Sequence, residues 1–394
     1  MESLKARVPG AEVSTDLSYK KGPNMLHTKP ERLEGAVELS RHDESFVIAP
    51  SAAERMLQRL LGARRAYTTR NIILEEVAAL DATSSPHAGD VVLARVESLG
   101  HHTRLESPAG RRQTLYCGNE IIVAYGNRYA TDQFEATIPS DLGLCDLVAG
   151  GGVASLVRSK HRSIKPATKL QPLGLLTRAN GQILNLNQFK TIGYVQPNPT
   201  CHVILVVGTS MNAGKTTTAA SLVHGLTKAG MKVGAAKITG TGSGGDIWSL
   251  IDAGARCVAD FTDIGHASTS GLPIEQLVLD GQALIHSVTA QNDFAVVEIA
   301  DGLLQEETAA LLGDQRLRAL ADSVVLAAGD AMGAAYGHQW LTARGIKLAF
   351  IAGCVGSSPL GRAEAMRATG LHVATLSELT DAETAPRLCL NEVI

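Results

Sequence analysis

The stretch Val206-Val207-Gly208-Thr209-Ser210-Met211-Asn212-Ala213-Gly214-Lys215-Thr216-Thr217-Thr218 constrains this chain more than any other. An apolar run, Val203–Val207, leads into it, and an amphipathic pattern over Thr216–Ala229 leads out. Strand, glycine-bounded loop and helix in that order are the setting of a phosphate-binding loop, or P-loop. The backbone N–H groups of such a loop converge at the helix N-terminus, where the helix dipole adds partial positive charge. Gly214 lets the backbone approach a phosphate closely, Lys215 reaches the outer oxygens, and the Thr216 hydroxyl is placed to ligate Mg²⁺. The candidate phosphate-binding residues are Gly208, Thr209, Ser210, Asn212, Ala213, Gly214, Lys215, Thr216 and Thr217.

Beyond this loop the pattern is regular. Apolar runs at Lys232–Ile238, Phe294–Ile299, Ser323–Ala328, Lys347–Ala352 and His372–Thr375, with a weaker one at Cys257–Phe261, read as strands. Between them Ile274–Thr289, Glu306–Leu320, Met332–Arg344 and Leu360–Thr369 carry helical periodicity. Such runs predict a doubly wound, mostly parallel α/β sheet over residues 199–394, preceded by a smaller β-rich domain. Ligands of these sheets bind outside the carboxyl ends of the strands. Lys237 stands at one such end, where a cation stabilises charge developing on phosphate. Glu298 closes the run Phe294–Ile299 and suits Mg²⁺, directly or through water, with Asp301 as the alternative. Asp246 follows the small residues Gly240–Gly245 and either ligates the metal or caps the helix beginning at Ile247. Lys215, Lys237 and Glu298 form the predicted catalytic group, and Thr216, Asp246 and Glu298 the predicted Mg²⁺ ligands.

The N-terminal half obeys different rules. Residues 1–45 are polar and broken by prolines, which predicts a loosely ordered arm of the kind a partner chain ties down. Ala52–Ala66 reads as a helix with Met56, Leu57, Leu60 and Leu61 on one face. Short runs at Val91–Val96, Thr103–Glu106, Gln113–Tyr116 and Glu120–Tyr125, punctuated by Gly, Pro and Asn, predict a small barrel or sandwich. This β-rich domain spans 46–198 and includes Asp141–Asn198, which reads as a glycine-rich and then basic connector. The basic run Arg158–Lys169 there is either a solvated loop or a strip that meets an anion. Arg128, in the polar turn Gly126–Tyr129, is either exposed or a clamp for carboxylate or phosphate. His101-His102 lacks a third ligand at metal spacing and reads as surface, while His266 is a loop histidine or an acid/base.

Composition narrows the partners. With 36 Lys and Arg against 39 Asp and Glu, the chain lacks the charge to bind nucleic acid or anionic membrane in bulk, which favours a small-molecule substrate. The six cysteines show no paired spacing and no leader-like apolar segment opens the chain, so a cytoplasmic protein is expected.

The string Gly208–Thr217, the Lys237 strand and Val296-Val297-Glu298, in that order, resemble dethiobiotin synthetase and its relatives. More similar is a P-loop family that includes D-glutamate N-acetyltransferases, at the glycine loop, at Ala236-Lys237 to Thr239-Gly240, at the acid-ended strand and at Gly353–Leu360. Both resemblances concern about half of the chain, Val203–Thr375. Where dethiobiotin synthetase continues Glu-Gly-Ala-Gly-Gly, this chain has Glu298-Ile299-Ala300-Asp301-Gly302, so that enzyme's substrate pocket does not carry over. The loop itself points to an ATP·Mg-dependent kinase or ligase acting on a small carboxylate-bearing molecule. The second resemblance implies instead an N-acyltransferase that grips a phosphate of coenzyme A. A third reading, a nucleotide-gated switch or metallocentre chaperone, implies a homo-oligomer closing on nucleotide.

Overall fold

The computed structural model describes residues 51–392 apart from Tyr194; the arm expected over 1–45 lies outside the described residues. Ser51 and Glu54 form a reciprocal capping box that starts α1 (Ala52–Gly62). Leu60 is buried and Met56 and Leu57 pack on the core beneath, but Leu61 is 59% exposed, about 100° further round the helix from Leu60.

The β-rich region follows as β1 (Arg64–Arg65), β2 (Ala79–Asp81), β3 (Val91–Ser98), β4 (Arg104–Glu106), β5 (Arg112–Thr114), β6 (Glu120–Tyr125), β7 (Arg128–Tyr129), β8 (Phe134–Thr137), β9 (Cys145–Ala149), β10 (Val153–Lys160) and β11 (Thr168–Thr177). Strands β6, β3, β11, β9 and β10 pair in that order, and β10 pairs back onto β6 in parallel, so they close into a small barrel. Alternate residues feed two cores: Val91, Leu93 and Ile122 pack in one, Val92, Ala94 and Ile121 in the other. The hairpin β7–β8 extends from β10, and β4–β5 forms a separate hairpin.

Strands β9 to β11 correct the connector expected over Asp141–Asn198. Its basic residues suggest a loop, but they sit where a strand tolerates charge. Burial along β10 falls from Val153 to an exposed Lys160, and Lys169 on β11 pairs with buried Asp146 at 2.7 Å. Turning between β9 and β10 requires Gly152, whose φ is +101° and where a Cβ would lie 2.1 Å from the Ala66 side chain.

The C-terminal half comprises β12 (His202–Gly208), α2 (Lys215–Lys228), β13 (Val233–Lys237), α3 (Gly245–Asp252), β14 (Cys257–Asp260), α4 (Ile274–Thr289), β15 (Phe294–Glu298), α5 (Glu306–Gly313), α6 (Gln315–Arg318), β16 (Ser323–Ala327), α7 (Ala331–Thr342), β17 (Phe350–Ala352), α8 (Pro359–Thr369), α9 (Leu376–Leu379) and α10 (Thr384–Cys389). The six strands are all parallel in the order β14-β13-β15-β12-β16-β17. Along β12, Val203, Leu205 and Val207 pack against α4, α5 and α7, while Ile204 and Val206 pack against α2, α9 and α10. Both faces are covered, as continuously apolar strands require. This is the doubly wound α/β architecture expected.

Two local expectations fail here. Glu306–Leu320 is two helices, because Asp314 is extended and its carboxylate accepts the Arg316 N–H at 2.8 Å, capping a new turn. His372–Thr375 is no strand; only Val373 bridges to Ile351.

Register places the strand ends that matter. Val206 of β12 lies opposite Glu298 of β15, and Glu298 lies opposite Lys237 of β13. The residue that leads into the phosphate loop, the acid and the lysine therefore meet at one sheet edge.

Candidate functional site

A cavity of about 570 Å³ opens at that edge, bounded by the phosphate loop and strand ends on one side and by β4, β5 and β7 on the other. Met211, Asn212, Lys215 and Thr216 line it from the loop. The Lys215 ammonium donates to the carbonyls of Ser210 (2.7 Å) and Met211 (3.3 Å), spanning its own loop. Burial, only partly opposed by Glu298, brings its pKa down to about 8. Thr209 anchors the loop start through its N–H to the Ala327 carbonyl (2.9 Å), while Thr217 is exposed on the first turn of α2.

Gly214 has a reason different from the one its sequence suggests. Its φ is +94°, and a Cβ there would point at the backbone of Gly353 and Cys354, 3.1–3.2 Å away. That segment braces the loop from behind, with the Cys354 N–H donating to the Ala213 carbonyl at 3.0 Å. Glycine at 214 thus answers to a backbone crossing.

Beside the loop, Lys237 forms ion pairs with Asp246 and with Glu298 (3.4 Å), and the Thr216 hydroxyl donates to Glu298 Oε1 at 3.2 Å. Burial opposes the charge on Lys237, but the two carboxylates outweigh it and raise its pKa. Burial likewise resists ionisation of Asp246, and Lys237 prevails to hold it below the usual range. Asp246 does not cap α3: it lies inside the first turn, and the N-cap is Gly244. Glu298 Oε2 is buried without a hydrogen-bond partner. One hydroxyl and two carboxylates, with a carboxylate oxygen left over, suit a hard divalent cation such as Mg²⁺. Asp301 also lines the cavity; it is a non-glycine residue at φ +64°, and burial raises its pKa against the pull of Lys215 and Lys237.

The opposite wall escapes the sequence reading almost entirely. Glu106, at the end of β4, is buried and accepts the Gly244 N–H (3.0 Å) and the Trp248 indole N–H (2.8 Å), so the β-rich region caps α3. The Gly151 backbone meets Gly242 so closely that a Cβ would lie 2.1 Å from the Gly242 carbonyl oxygen. Arg70 clamps the loop after β14, donating to Thr262 and Asp263 at 2.5 Å each. His101 and His102 are half-buried in the cavity wall rather than on the surface. Burial, with Arg128 nearby, pushes His102 down to about 4, so it is a neutral ring. Arg128 is buried, not an exposed turn residue. No periodicity announces these groups, since they converge only when the barrel docks on the sheet edge. His266 goes elsewhere: it pairs with Asp280 at 2.7 Å and does not line the cavity.

Among the described residues no helix is long and apolar enough to cross a membrane. A family model described as a domain of unknown function (DUF1611_C) P-loop domain matches residues 191–268. Among solved structures, the chain is similar to a DUF1611 family protein from Anabaena variabilis (13% identity, 54% of this chain and 65% of that one, TM-score 0.37). It is also similar to the signal recognition particle 54 kDa protein of Aeropyrum pernix, solved with GDP (20% identity, 50% and 47%, TM-score 0.34). The signal recognition particle receptor FtsY of Elizabethkingia anophelis is a further one (16% identity, 50% and 58%, TM-score 0.30). The chain spans about half to two thirds of the length of these structures. No curated protein matches it. By its loop and its parallel sheet, the C-terminal half is a P-loop domain of the kind that binds nucleotides, and over residues 191–268 it is similar to the DUF1611 P-loop domain.

Proposed function

We propose that this protein is an enzyme that takes a nucleoside triphosphate, ATP in the simplest case, at the P-loop and uses its terminal phosphoryl group on a small carboxylate-bearing metabolite. The acceptor would be phosphorylated, or its carboxylate activated for attack. One observation carries the reading: Lys215, Lys237, Thr216, Asp246 and Glu298 converge on a cavity large enough for an acceptor beside the phosphates. Thr216, Asp246 and Glu298 would hold Mg²⁺, which when bound neutralises phosphate charge. Lys215 would leave its loop carbonyls for the phosphate oxygens, exchanging two neutral acceptors for charged ones. Lys237 fixes both carboxylates and places a cation beside the transferring group. A cavity of about 570 Å³, rather than a charged outer face, accords with a metabolite as partner. The six free cysteines accord with a reducing, cytoplasmic setting.

A second reading, N-acyl transfer from a coenzyme A thioester, is favoured by Lys237, whose ammonium is ion-paired with both Asp246 and Glu298. Gripping a coenzyme A phosphate then needs no Mg²⁺. Calorimetric titration with ATP, GTP and acetyl-CoA, each in MgCl₂ and in EDTA, separates the two. Mg²⁺-dependent nucleotide binding supports phosphoryl transfer. Binding of acetyl-CoA alone, unchanged in EDTA, replaces it with acyl transfer.

A further inference from the structure

Arg128 is a buried cavity-lining cation on the barrel wall that has no ion pair among the described residues. It lies on β7 with 7% of its surface exposed. One Nη donates to the Val148 carbonyl at 2.5 Å and the other to Gln133 Oε1 at 2.9 Å, both neutral acceptors. Its Nε is buried with no partner, and among the described residues no carboxylate lies within ion-pair distance. A guanidinium has five N–H donors, so only part of its capacity is met. Asp132 and Asp301 act on it from beyond ion-pair distance; Asp132 Oδ2 accepts from the Asn212 side chain at 3.0 Å, while its Oδ1 is buried without a hydrogen-bond partner. The flanking histidines offer no negative charge. Burial lowers the Arg128 pKa to about 10, and Asp132 and Asp301, neither of them ion-paired with it, only partly oppose that.

Buried charges in folded proteins are paired, and an unpaired one that faces a ligand cavity points to an anion arriving from outside. We infer that Arg128 is the receptor for a carboxylate of the acceptor substrate, held on the barrel wall while the phosphate loop holds the donor across the same cavity. The inference rests on the transferase reading above and adds the acceptor's anchoring point. A carboxylate fits better than a further phosphate for two reasons. On the proposed reading, Lys215, Lys237 and the N-terminus of α2 would serve phosphates on the other wall. A planar guanidinium whose two Nη groups each spend only one N–H on the protein matches a two-oxygen carboxylate. The barrel thereby gains a part in the chemistry. Its hairpin β7–β8 carries the acceptor's anchor and touches the phosphate loop at Asp132–Asn212, so acceptor and donor are set against each other by one contact.

The test uses the full chain as wild type, Arg128→Met and Arg128→Lys. Sodium malonate, succinate, tricarballylate and citrate, then pyrophosphate, acetyl-CoA and ATP·Mg, are titrated by calorimetry, with melting temperatures recorded alongside. The wild type should bind at least one of the carboxylates saturably. Arg128→Met should weaken that binding about 10- to 100-fold, and Arg128→Lys, which keeps the charge but loses the fork, about 10-fold. Affinity for ATP·Mg, or for acetyl-CoA if that is the donor, should change less than about threefold, since the donor's phosphates lie on the other wall. Ligand-free Arg128→Met should melt no lower than the wild type, because it removes a charge without a counter-ion while His102 still donates to the Val148 carbonyl at 3.0 Å. The inference is overturned if no carboxylate binds the wild type, if both variants bind it equally well, or if pyrophosphate and donor affinity fall in parallel with it. It is also overturned if Arg128→Met loses the fold while Arg128→Lys binds carboxylate normally. Failure of every donor to bind the wild type would sink the transferase reading instead, and the carboxylate arm would still report on Arg128.

Discussion

Lys237→Met examines whether the carboxylates at the sheet edge depend on a built-in cation. Lys237 and Glu298 have side chains only 13% and 2% exposed, and Asp246 is 32% exposed. Removing one partner of a buried ion pair costs about 3–5 kcal/mol, because the other charge stays desolvated. Asp246 can turn to water, and Glu298 keeps the Thr216 hydroxyl, so the low end, about 3 kcal/mol, is expected. For a chain of 394 residues that is a melting temperature lower by roughly 3–5 °C. The same vacancy leaves Thr216, Asp246 and Glu298 without a resident cation, so the variant should bind Mg²⁺ in the absence of nucleotide and recover part of the loss. Circular-dichroism melts in EDTA and in millimolar MgCl₂, wild type beside variant, read both effects. The reasoning is refuted if the variant melts within about 2 °C of wild type in EDTA, or if Mg²⁺ shifts both proteins equally.

Lys215→Ala should lower the rate of transfer about 30- to 1000-fold by removing a charge-assisted contact to phosphate, with a ligand-free melting temperature at neutral pH no lower than that of the wild type, since burial disfavours the charged lysine; retention of full turnover would unseat the phosphate-loop assignment. Since the Lys215 pKa is about 8 in the fold and near 10.5 unfolded, the unfolded chain holds more protons between those values. Its contribution to stability therefore rises with pH from about 8 to about 10.5, and phosphate binding, which restores the charge, takes up protons just above pH 8. Titrations at pH 8.5 in two buffers of different ionisation enthalpy should give different apparent enthalpies, and identical ones would contradict the shift. Gly151→Ala should cost about 1–3 kcal/mol in urea unfolding by forcing the barrel turn away from Gly242. The control Gly62→Ala, with open space around its Cβ, should be neutral or stabilising by up to about 1 kcal/mol.

The C-terminal half was legible in the sequence because its signals are local. Val203–Val207 is apolar without interruption, so it is a strand buried on both faces, and Gly214-Lys215-Thr216 opens a helix directly after it. Parallel register then does the rest, since Lys237 and Glu298 end adjacent strands. The β-rich half was less legible. The period-two pattern of β10 runs out into exposed charges, and β9, β10 and β11 become strands only because β10 closes the barrel against β6. Burial of Arg128 and Glu106 had no sequence signal at all. A polar side chain in a turn or hairpin reads as solvated until another element covers it, and here the cover is a sheet edge far along the chain: Glu106 meets Gly244 and Trp248, and Arg128 shares a cavity with Lys215. Local spacing determined where the P-loop lies, because strand, glycine loop and helix follow one another along the chain. What faces that loop was decided by the tertiary structure alone, because a cavity between two regions belongs to neither sequence by itself.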